Sequence, residues 1–360
     1  MKIQNVTSTL VHVPMRKPAR WATGGLSHVG ELYVQVETDE GPSGLGFSYN
    51  HPETVAIIEQ RLLPTVLGRD PFDTEGIWAD MYDAVHTLGH QGLVFNAMAA
   101  IDIALWDLKA RALGLPLYKL LGACRESVPV YGSGGFLNYS VDELVEEATG
   151  FVERGIPRVK MKIGLDAGRD DREDVRRVAA VRKAVGDDVE IYVDANGSYR
   201  AKQAVDVARR LEDLRVGWLE EPVHAADREG LAVVARGTTI PLATGEFEYH
   251  LFAFRSLMAA GAVDIVQADV GRVGGVTPWL KIAKLAEAFN LPVAPHAFDV
   301  VHLHLMCAVP NATVLEHLSI YDDLPYKERP EPRDGILTVP ADRPGHGLEL
   351  DAERVAANLM

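Results

Sequence analysis

Cysteine is nearly absent from this sequence, and its scarcity limits the kinds of protein that the chain can form. The 360 residues include two cysteines, Cys124 and Cys307, and neither has the spacing of a metal-binding motif. A disulfide-rich secreted scaffold is therefore excluded, and isolated reduced thiols are typical of a cytoplasmic protein. We expect a cytoplasmic protein with two structural thiols.

Long apolar runs and an excess of basic residues are also missing. No run approaches about 18 apolar residues without a charge or a glycine, and residues 1–20 contain no continuous apolar segment of the signal-peptide type. The 36 Lys and Arg against 51 Asp and Glu give a net charge of −15 and leave no basic stripe to neutralise phosphates. We expect neither membrane insertion nor nucleic-acid binding.

The first part of the chain reads as a sheet followed by helices. Apolar and polar residues alternate over residues 3–13 and 32–36, and helical periodicity follows, most clearly over 95–113. This pattern predicts an α+β capping domain over 1–125. The stretch near 15–30 is rich in Pro and Gly and predicts a mobile loop, which is either an exposed connector or a lid that brings cations to an anionic substrate.

From residue 126, short strands alternate with amphipathic helices. Eight strand candidates follow one another at roughly 20 to 30 residues, at 128–131, 158–163, 189–194, 217–220, 241–244, 263–267, 292–294 and 313–316. This repeat predicts a (β/α)₈ barrel over 126–320. A doubly wound sheet is less favoured, because no Gly-x-Gly-x-x-Gly motif opens the first helix. Residues 321–360 lose the repeat and are predicted to fold back onto the capping domain.

Three carboxylates stand at the ends of three successive strand candidates. Asp194, Glu220 and Glu246 are spaced 26 and 26 residues apart, which is the length of one βα unit. Any one of them is readily explained as a helix cap or a solvated loop residue. Three in phase would converge at the barrel mouth, where their mutual repulsion favours a bound cation. An all-oxygen ligand set predicts Mg²⁺, or Mn²⁺, rather than Zn²⁺.

Two lysines lie on the second barrel strand. Lys160 and Lys162 are two residues apart and share one face of the strand. If that face lines the mouth, each ammonium lowers the pKa of the other toward the range of a base. The alternative is that both side chains extend from a strand edge into solvent.

Later strand ends carry Asp269, His296 and Glu316. Asp269 precedes His296 by 27 residues, so the two can lie on adjacent strand ends, where the carboxylate would orient the imidazole and stabilise its charged form. His296 is alternatively a core histidine. Glu316 is either a structural acid or a carboxylic acid held neutral by an apolar setting, able to donate a hydrogen bond to developing negative charge.

Together these ordered motifs resemble the enolase superfamily, in particular its mandelate racemase subgroup, over nearly the whole chain. The resemblance implies that Lys162 is the base and Lys160 the modulator of its pKa, and that Asp194, Glu220 and Glu246 bind the metal with Asn196 beside it. It also implies an Asp269–His296 dyad, Glu316 as electrophile, and a homo-oligomer. The segment 272–275, Arg-Val-Gly-Gly, fits the family pattern as well.

The resemblance implies removal of the proton next to a carboxylate to give an enediolate. We favour subsequent loss of water from an aldonate or aldarate, giving a 2-keto-3-deoxy acid, partly because the resemblance implies this reaction and partly because the loops are rich in polar groups suited to a small, hydroxylated anion. Arg20, Trp21, Tyr49 and His51 are the predicted substrate-binding residues beside Asn196. The alternatives are a racemase or epimerase of a 2-hydroxy acid, a metal-dependent aldolase, and a barrel that binds metal without catalysis.

Overall fold

The alternating residues at the N-terminus form a three-stranded antiparallel sheet in the computed structural model, which describes residues 1–360. Its strands lie in the order β1 (Ile3–Leu10), β4 (Glu31–Thr38), β5 (Ser43–Tyr49). The central strand β4 is buried on both faces, because Leu32 and Val34 pack against the helices of this domain while Tyr33 packs toward the barrel. The sheet therefore joins two hydrophobic cores.

The segment between β1 and β4 is a β-hairpin. Strands β2 (Val13–Trp21) and β3 (Gly24–Val29) pair with each other, with an irregular register between Pro14 and Ala19. The prediction of a loop without regular structure near 15–30 is wrong. Proline lacks a donor for a regular ladder but is tolerated in an isolated hairpin at an irregularity, so Pro18 did not prevent strand formation.

The helices of the first domain cover one face of its sheet. The longest, Leu93–Ala112, packs so closely on β5 that a Cβ at Gly46 would lie 1.9 Å from the carbonyl oxygen of Ala100. Glycine is therefore required at this contact. The helices are α1 (Pro52–Ile57), α2 (Leu63–Val66), α3 (Thr74–Ala84), α4 (Leu93–Ala112) and α5 (Leu117–Leu120), and a π-helical segment, Ile58–Leu62, joins the first two.

Parallel strands form the barrel predicted from the alternating repeat. They are β6 (Ser127–Ser133), β7 (Arg158–Lys162), β8 (Glu190–Asp194), β9 (Val216–Glu220), β10 (Leu242–Thr244), β11 (Ile265–Val266) and β12 (Leu315–Leu318). Neighbours pair in chain order, and β12 pairs with β6. The strand predicted at 292–294 is reduced to Val293, which bridges Val266 and Ala312 and closes the ring. Pro292 and Pro295 flank it and lack the N–H groups that a longer ladder would need.

The barrel helices follow their strands along the outside. They are α6 (Val141–Glu153), α7 (Leu165–Gly168), α8 (Asp171–Val185), α9 (Ala201–Glu212), α10 (Arg228–Gly237), α11 (Leu251–Ala259), α12 (Val276–Ala288) and α13 (Asp299–Ala308). The first has a complete capping box, in which Ser140 and Glu143 satisfy each other's backbone N–H groups. No helix of the chain is both long and apolar enough to span a membrane.

An aromatic layer fills the barrel beneath its mouth. The rings of Tyr192 and Trp218 stack with centroids 3.6 Å apart, and Tyr131 meets Trp218 edge-on. Because alternate residues of a strand face the same way, Asp194 and Glu220 lie one layer above Tyr192 and Trp218. The packed interior therefore places two carboxylates at the C-terminal rim.

The last 40 residues contact both domains. Strand β13 (Ile336–Thr338) pairs antiparallel with the start of β6, and α14 (Ala352–Ala357) follows near the C-terminus. The Met360 N–H donates to the Leu10 carbonyl at 3.2 Å, next to β1. The domain limits at 125 and 320 stay predictions.

Candidate active site

Eight ionisable side chains gather at the C-terminal rim of the barrel strands. Each is buried or nearly so, and His296 is the most exposed, with 14% of its side chain accessible. The set consists of Lys160, Lys162, Asp194, Glu220, Glu246, Asp269, His296 and Glu316. So many buried charges are tolerated only when they neutralise one another or bind a ligand.

Lys160 lies between two carboxylates from different sides of the barrel. Its Nζ is 2.7 Å from Glu220 Oε1 and 2.8 Å from Glu316 Oε1, and its side chain is fully buried. Burial lowers the pKa of Lys160, but the attraction of Glu220 and Glu316 outweighs burial and raises the pKa well above its ordinary value. Lys160 is therefore firmly charged in the arrangement that the structure describes.

Lys162 forms an ion pair with Asp194 on the neighbouring strand. Burial and the charge of Lys160 lower the pKa of Lys162, but Asp194 and, more weakly, Glu246 and Glu220 raise it above its ordinary value. The prediction that the two lysines have depressed pKa values is therefore wrong for this arrangement. It considered the repulsion between the lysines and omitted the carboxylates that face them.

The predicted metal ligands cluster, with one further acid beside them. Burial, the largest effect, and the nearby Asp194 and Glu246 raise the pKa of Glu220 to about 8, against the opposing effect of Lys160. Glu221, which the sequence analysis did not assign, is buried among the same three acids, and its Oε1 has no hydrogen-bond partner. Two consecutive glutamates at a strand end, Glu220 and Glu221, were the signal in the sequence that could have identified Glu221 as part of the site.

The cluster has unused oxygen atoms suited to a hard cation. Glu246 Oε2 and Asn196 Oδ1 are buried without hydrogen-bond partners. Ligand atoms of Glu220, Glu246 and His296 lie within 4.8 Å of one another. His296 is not assigned as a ligand, because its Nδ1 already lies at ion-pair distance from Glu246 and Glu316. The carboxylates therefore fit a divalent cation such as Mg²⁺, with Asp194 available once it leaves Lys162.

His296 contacts carboxylates other than the predicted Asp269. Its Nδ1 lies 2.9 Å from Glu316 Oε2 and 3.2 Å from Glu246 Oε2, at ion-pair distance but without an aligned hydrogen bond. Burial lowers the pKa of His296, and the attraction of Glu246 and Glu316 raises it to about 9. The expected Asp269–His296 ion pair is not formed, since Glu316 on the next strand and Glu246 after β10 lie at ion-pair distance from the imidazole instead.

Asp269 has its own partners and lies near His296 without contacting it. It accepts hydrogen bonds from the hydroxyl of Tyr49 and from the backbone N–H of Gly271, the latter at 2.7 Å. Burial raises the pKa of Asp269, and the charges of Arg272 and His296 reduce this effect without reversing it. Asp269 is therefore held by neighbours that the sequence analysis did not connect with it.

Glu316 is ionised in this setting. Burial raises the pKa of Glu316, but Lys160 and His296 lower it well below its ordinary value. Its Oε2 also accepts a hydrogen bond from the Ala297 N–H at 2.9 Å. Of the two alternatives for Glu316, a neutral hydrogen-bond donor is not favoured by this arrangement, because Lys160 and His296 lie at ion-pair distance from it; its role as electrophile stays a prediction.

The predicted substrate-binding residues lie in different settings. Arg20 and Trp21 end strand β2, whose turn reaches the barrel rim: a Cβ at Gly164, just after β7, would lie 3.1 Å from the Cβ of Ala22. The Tyr49 hydroxyl donates its hydrogen bond to Asp269, so it can meet a substrate only as an acceptor. His51 is exposed and precedes α1, with no side-chain capping bond. Their substrate contacts, and the proposed lid, stay predictions.

Arg272, a mostly buried arginine beside the site, was predicted only as part of a family motif. The Arg272 guanidinium lies 4.7 Å from the Tyr49 ring centroid and 4.2 Å from that of Phe247, and its Nη1 donates to the Glu246 carbonyl at 3.2 Å. Its Nε is 3.5 Å from Asp269. Arg272 thus joins the loops that carry Glu246 and Asp269. Its position three residues after Asp269 was the only signal in the sequence.

Comparison with known families identifies this arrangement. The family model described as mandelate racemase / muconate lactonizing enzyme, N-terminal domain, matches residues 4–122, and the model described as enolase C-terminal domain-like matches residues 143–355. The chain belongs to the mandelate racemase/muconate lactonizing enzyme family. The resemblance inferred from the strand-end residues is therefore confirmed.

Relatives within this family are similar over almost the full length. L-talarate/galactarate dehydratase of Salmonella typhimurium strain LT2 is 36% identical, over 98% of this chain and 90% of the relative. A 3,6-anhydro-alpha-L-galactonate cycloisomerase of Streptomyces coelicolor is 34% identical over 98% of both chains. The structure of L-talarate dehydratase from Polaromonas sp. JS666, complexed with Mg and L-glucarate, has a TM-score of 0.90 and 38% identity, covering 100% of this chain and 97% of that one. This likeness confirms the predicted barrel with a capping domain.

Proposed function

We propose that the protein dehydrates an acid sugar to a 2-keto-3-deoxy acid. The observation that carries the proposal is the position of Glu246. Its Oε2 lies 3.2 Å from His296 Nδ1, and its charge is close enough to Lys162 to raise the pKa of that lysine. A candidate base and a candidate acid therefore approach one carboxylate cluster. Relatives named as acid-sugar dehydratases support this reaction over others that begin by removing the same proton.

We propose Asp194, Glu220 and Glu246 as the residues that hold Mg²⁺, with Asn196 beside them. The support is the unused oxygen atoms of Glu246 and Asn196 and the magnesium in the talarate dehydratase structure. When bound there, the cation would compete with the lysines for carboxylate oxygens and add positive charge near the substrate carboxylate. Arg20 and Trp21 stay candidates for contacting the rest of the substrate.

Proton removal is assigned to Lys162. Lys162 is charged while it pairs with Asp194, so it first releases a proton to solvent. Its neutral Nζ then takes the proton from C2, and the C–H electron pair becomes part of an enediolate. The Nζ of Lys160, charged and fully buried, opposes the negative charge that develops on the substrate carboxylate. In this division of roles Lys162 is the base and Lys160 stays positively charged, because its two carboxylate partners favour the charged form.

Loss of the C3 hydroxyl is assigned to His296. Its pKa of about 9 keeps the imidazolium charged at neutral pH. The ring donates its proton as the C3–O bond breaks, so that the hydroxyl leaves as water and a C2=C3 double bond forms. The resulting enol becomes the 2-keto acid. We assign Glu316 the task of holding His296 and Lys160 in their charged forms, in place of the hydrogen-bond donation first expected.

The test is a panel of diacid and monoacid sugars incubated with Mg²⁺, including galactarate, L-talarate, glucarate, galactonate and arabinonate. We expect a 2-keto acid that has lost one water from at least one substrate, and none from Lys162→Met. An isomer of unchanged mass would favour a racemase, epimerase or cycloisomerase. Two carbonyl fragments would favour an aldolase. No product, with Mg²⁺ bound, would favour a barrel without catalysis.

Homo-oligomerisation, which the resemblance implies, stays a prediction. Sedimentation velocity of the purified protein tests it. A single species of one chain's mass, 39.3 kDa, at all concentrations would contradict it.

A further inference from the structure

His302 connects the two loops that carry Asp269 and His296. It is fully buried in α13, where its Nε2 accepts a hydrogen bond from the Val270 N–H at 3.1 Å and its Nδ1 lies 2.7 Å from the Ala297 carbonyl oxygen. Val270 follows Asp269 in the chain, and Ala297 follows His296. One imidazole thus spans the backbone next to both members of the predicted dyad.

These two partners determine which nitrogen of His302 carries the proton. A carbonyl oxygen only accepts hydrogen bonds, so Nδ1 must be protonated, and an N–H only donates, so Nε2 must be unprotonated. The ring is therefore neutral, in agreement with the pKa of His302, which burial lowers to about 4. The link needs one donor and one acceptor on a rigid ring, which few side chains provide.

The turn that His302 holds is conformationally unfavourable. Ala297 and Phe298 have φ values of +54° and +40°, in the left-handed region that residues with a side chain rarely adopt. The Ala297 N–H is bound by Glu316 at 2.9 Å and the Ala297 carbonyl by His302 at 2.7 Å. A costly backbone conformation next to His296 is therefore held by two buried side chains, which bind the peptide units on either side of Ala297.

We propose that His302 is a positioning residue, which fixes His296 and Asp269 relative to each other for the elimination step. This inference rests on the proposed function, because the step it supports is proton donation by His296. His302 acts through Val270 and Ala297 and need not contact the substrate. Its loss is therefore expected to lower kcat while leaving KM near the parent value.

His304 provides a matched control on the same helix. It is equally buried, its Nδ1 accepts from the Tyr118 N–H at 3.2 Å, and its Nε2 lies 3.2 Å from the His346 carbonyl oxygen. Two residues apart on a helix, the side chains point about 200° apart, so His304 links α5 and the C-terminal segment instead of the site. Replacing it removes the same kind of link without touching either loop of the rim.

The experiment compares His302→Leu with His304→Leu for thermal midpoint, kcat and KM on the best acid sugar. We expect similar losses of thermal midpoint, a kcat lowered about 10- to 100-fold by His302→Leu alone, and KM near the parent in both. His302→Asn, which keeps a donor near Nδ1, should recover part of kcat. An unchanged kcat in His302→Leu, or an equal fall in His304→Leu, would overturn the proposal. If His302→Leu does not fold, His302→Asn and His302→Gln take its place.

Crystal structures of the same variants separate this inference from the proposed function. If the parent turns over no acid sugar, the function fails, but the positioning claim is still tested by the separation of the His296 ring from the Asp269 carboxylate. We expect that separation to change in His302→Leu and to stay in His304→Leu. An unmoved His296 in both variants would refute the positioning role.

Discussion

Tyr49 donates a hydrogen bond from its hydroxyl to the Asp269 carboxylate, and the two residues belong to different domains. Tyr49 ends strand β5 of the capping domain, whereas Asp269 follows β11 of the barrel. The Arg272 guanidinium lies over the same tyrosine ring. An acid of the candidate site is therefore held in place partly by the capping domain, so this domain has a role beyond covering the barrel.

Removing this hydroxyl should weaken both the fold and the site. Tyr49→Phe leaves the fully buried Asp269 without one of its donors, and we expect the free energy of unfolding to fall by about 1–3 kcal/mol. We also expect kcat to fall about tenfold, since the hydroxyl that holds Asp269 in place is lost. Urea denaturation and steady-state kinetics measure the two effects. Tyr82→Phe, whose ring stacks on Trp78 in the same domain, should change stability by about 0.5 kcal/mol or less, and an equal loss would contradict the account.

Metal binding should stabilise the protein through Glu246. A ligand at 100 times its Kd adds about 2.7 kcal/mol to the free energy of unfolding, so Mg²⁺ should raise the parent's thermal midpoint and EDTA should reverse the rise. Glu246→Gln should lose most of this Mg²⁺-dependent rise. Glu248→Gln is the control: Glu248 lies two residues further along and pairs with Arg228, so this variant should keep the Mg²⁺-dependent rise. The same Mg²⁺ effect in both variants would argue against Glu246 as a ligand.

Asp102 should make stability depend on pH. Its carboxylate accepts hydrogen bonds from Thr277 at the start of α12, yet burial, the larger effect, raises its pKa from 3.8 to about 7. Between about pH 4 and 7 the folded state therefore binds more protons than the unfolded state, so this contribution is complete below about pH 4 and is lost as the pH rises through 7.

Asp102→Asn removes this titration while keeping an acceptor and a donor for Thr277. We expect the variant's free energy of unfolding to gain on the parent's as the pH rises from 5 to 8, by at most about 1.4 kcal/mol per pH unit. Urea denaturation at several pH values measures the difference. Two parallel stability curves would show that Asp102 keeps an ordinary pKa.

The sequence was sufficient for the fold and for the residues at the rim. Asp194 and Glu220 each lie two positions after a large aromatic residue whose side chain points into the barrel. Because alternate residues of a strand share a face, both acids lie at the barrel mouth. The repeat of strand and helix is a separate pattern, and it predicted the barrel. Local periodicity does not reveal how a strand pairs, and the Pro and Gly of the β2–β3 hairpin are typical of loops, so the sequence does not predict it.

The charge states at the rim were not predictable from the sequence. Lys160 and Lys162 were expected to lower each other's pKa, but each faces a carboxylate from another strand, and those pairings depend on the closed barrel. His296 pairs with Glu316 of the next strand and with Glu246, which follows β10, instead of with Asp269, because the orientation of its ring depends on the closed barrel. Such long-range contacts have no local pattern in the sequence.

The most direct test of the proposed reaction is proton NMR of candidate acid sugars with the protein and Mg²⁺ in D₂O. The account predicts loss of the C2 proton signal together with new C3 signals of a 2-keto-3-deoxy acid for the parent, and an unchanged spectrum for Lys162→Met. A general base of this kind contributes about 10²- to 10⁴-fold in rate. The variant should be slower by that factor, so its spectrum should not change in the time that the parent needs. Exchange of the C2 proton with the carbon skeleton and hydroxyls intact, or equal activity in the variant, would contradict dehydration with Lys162 as the base.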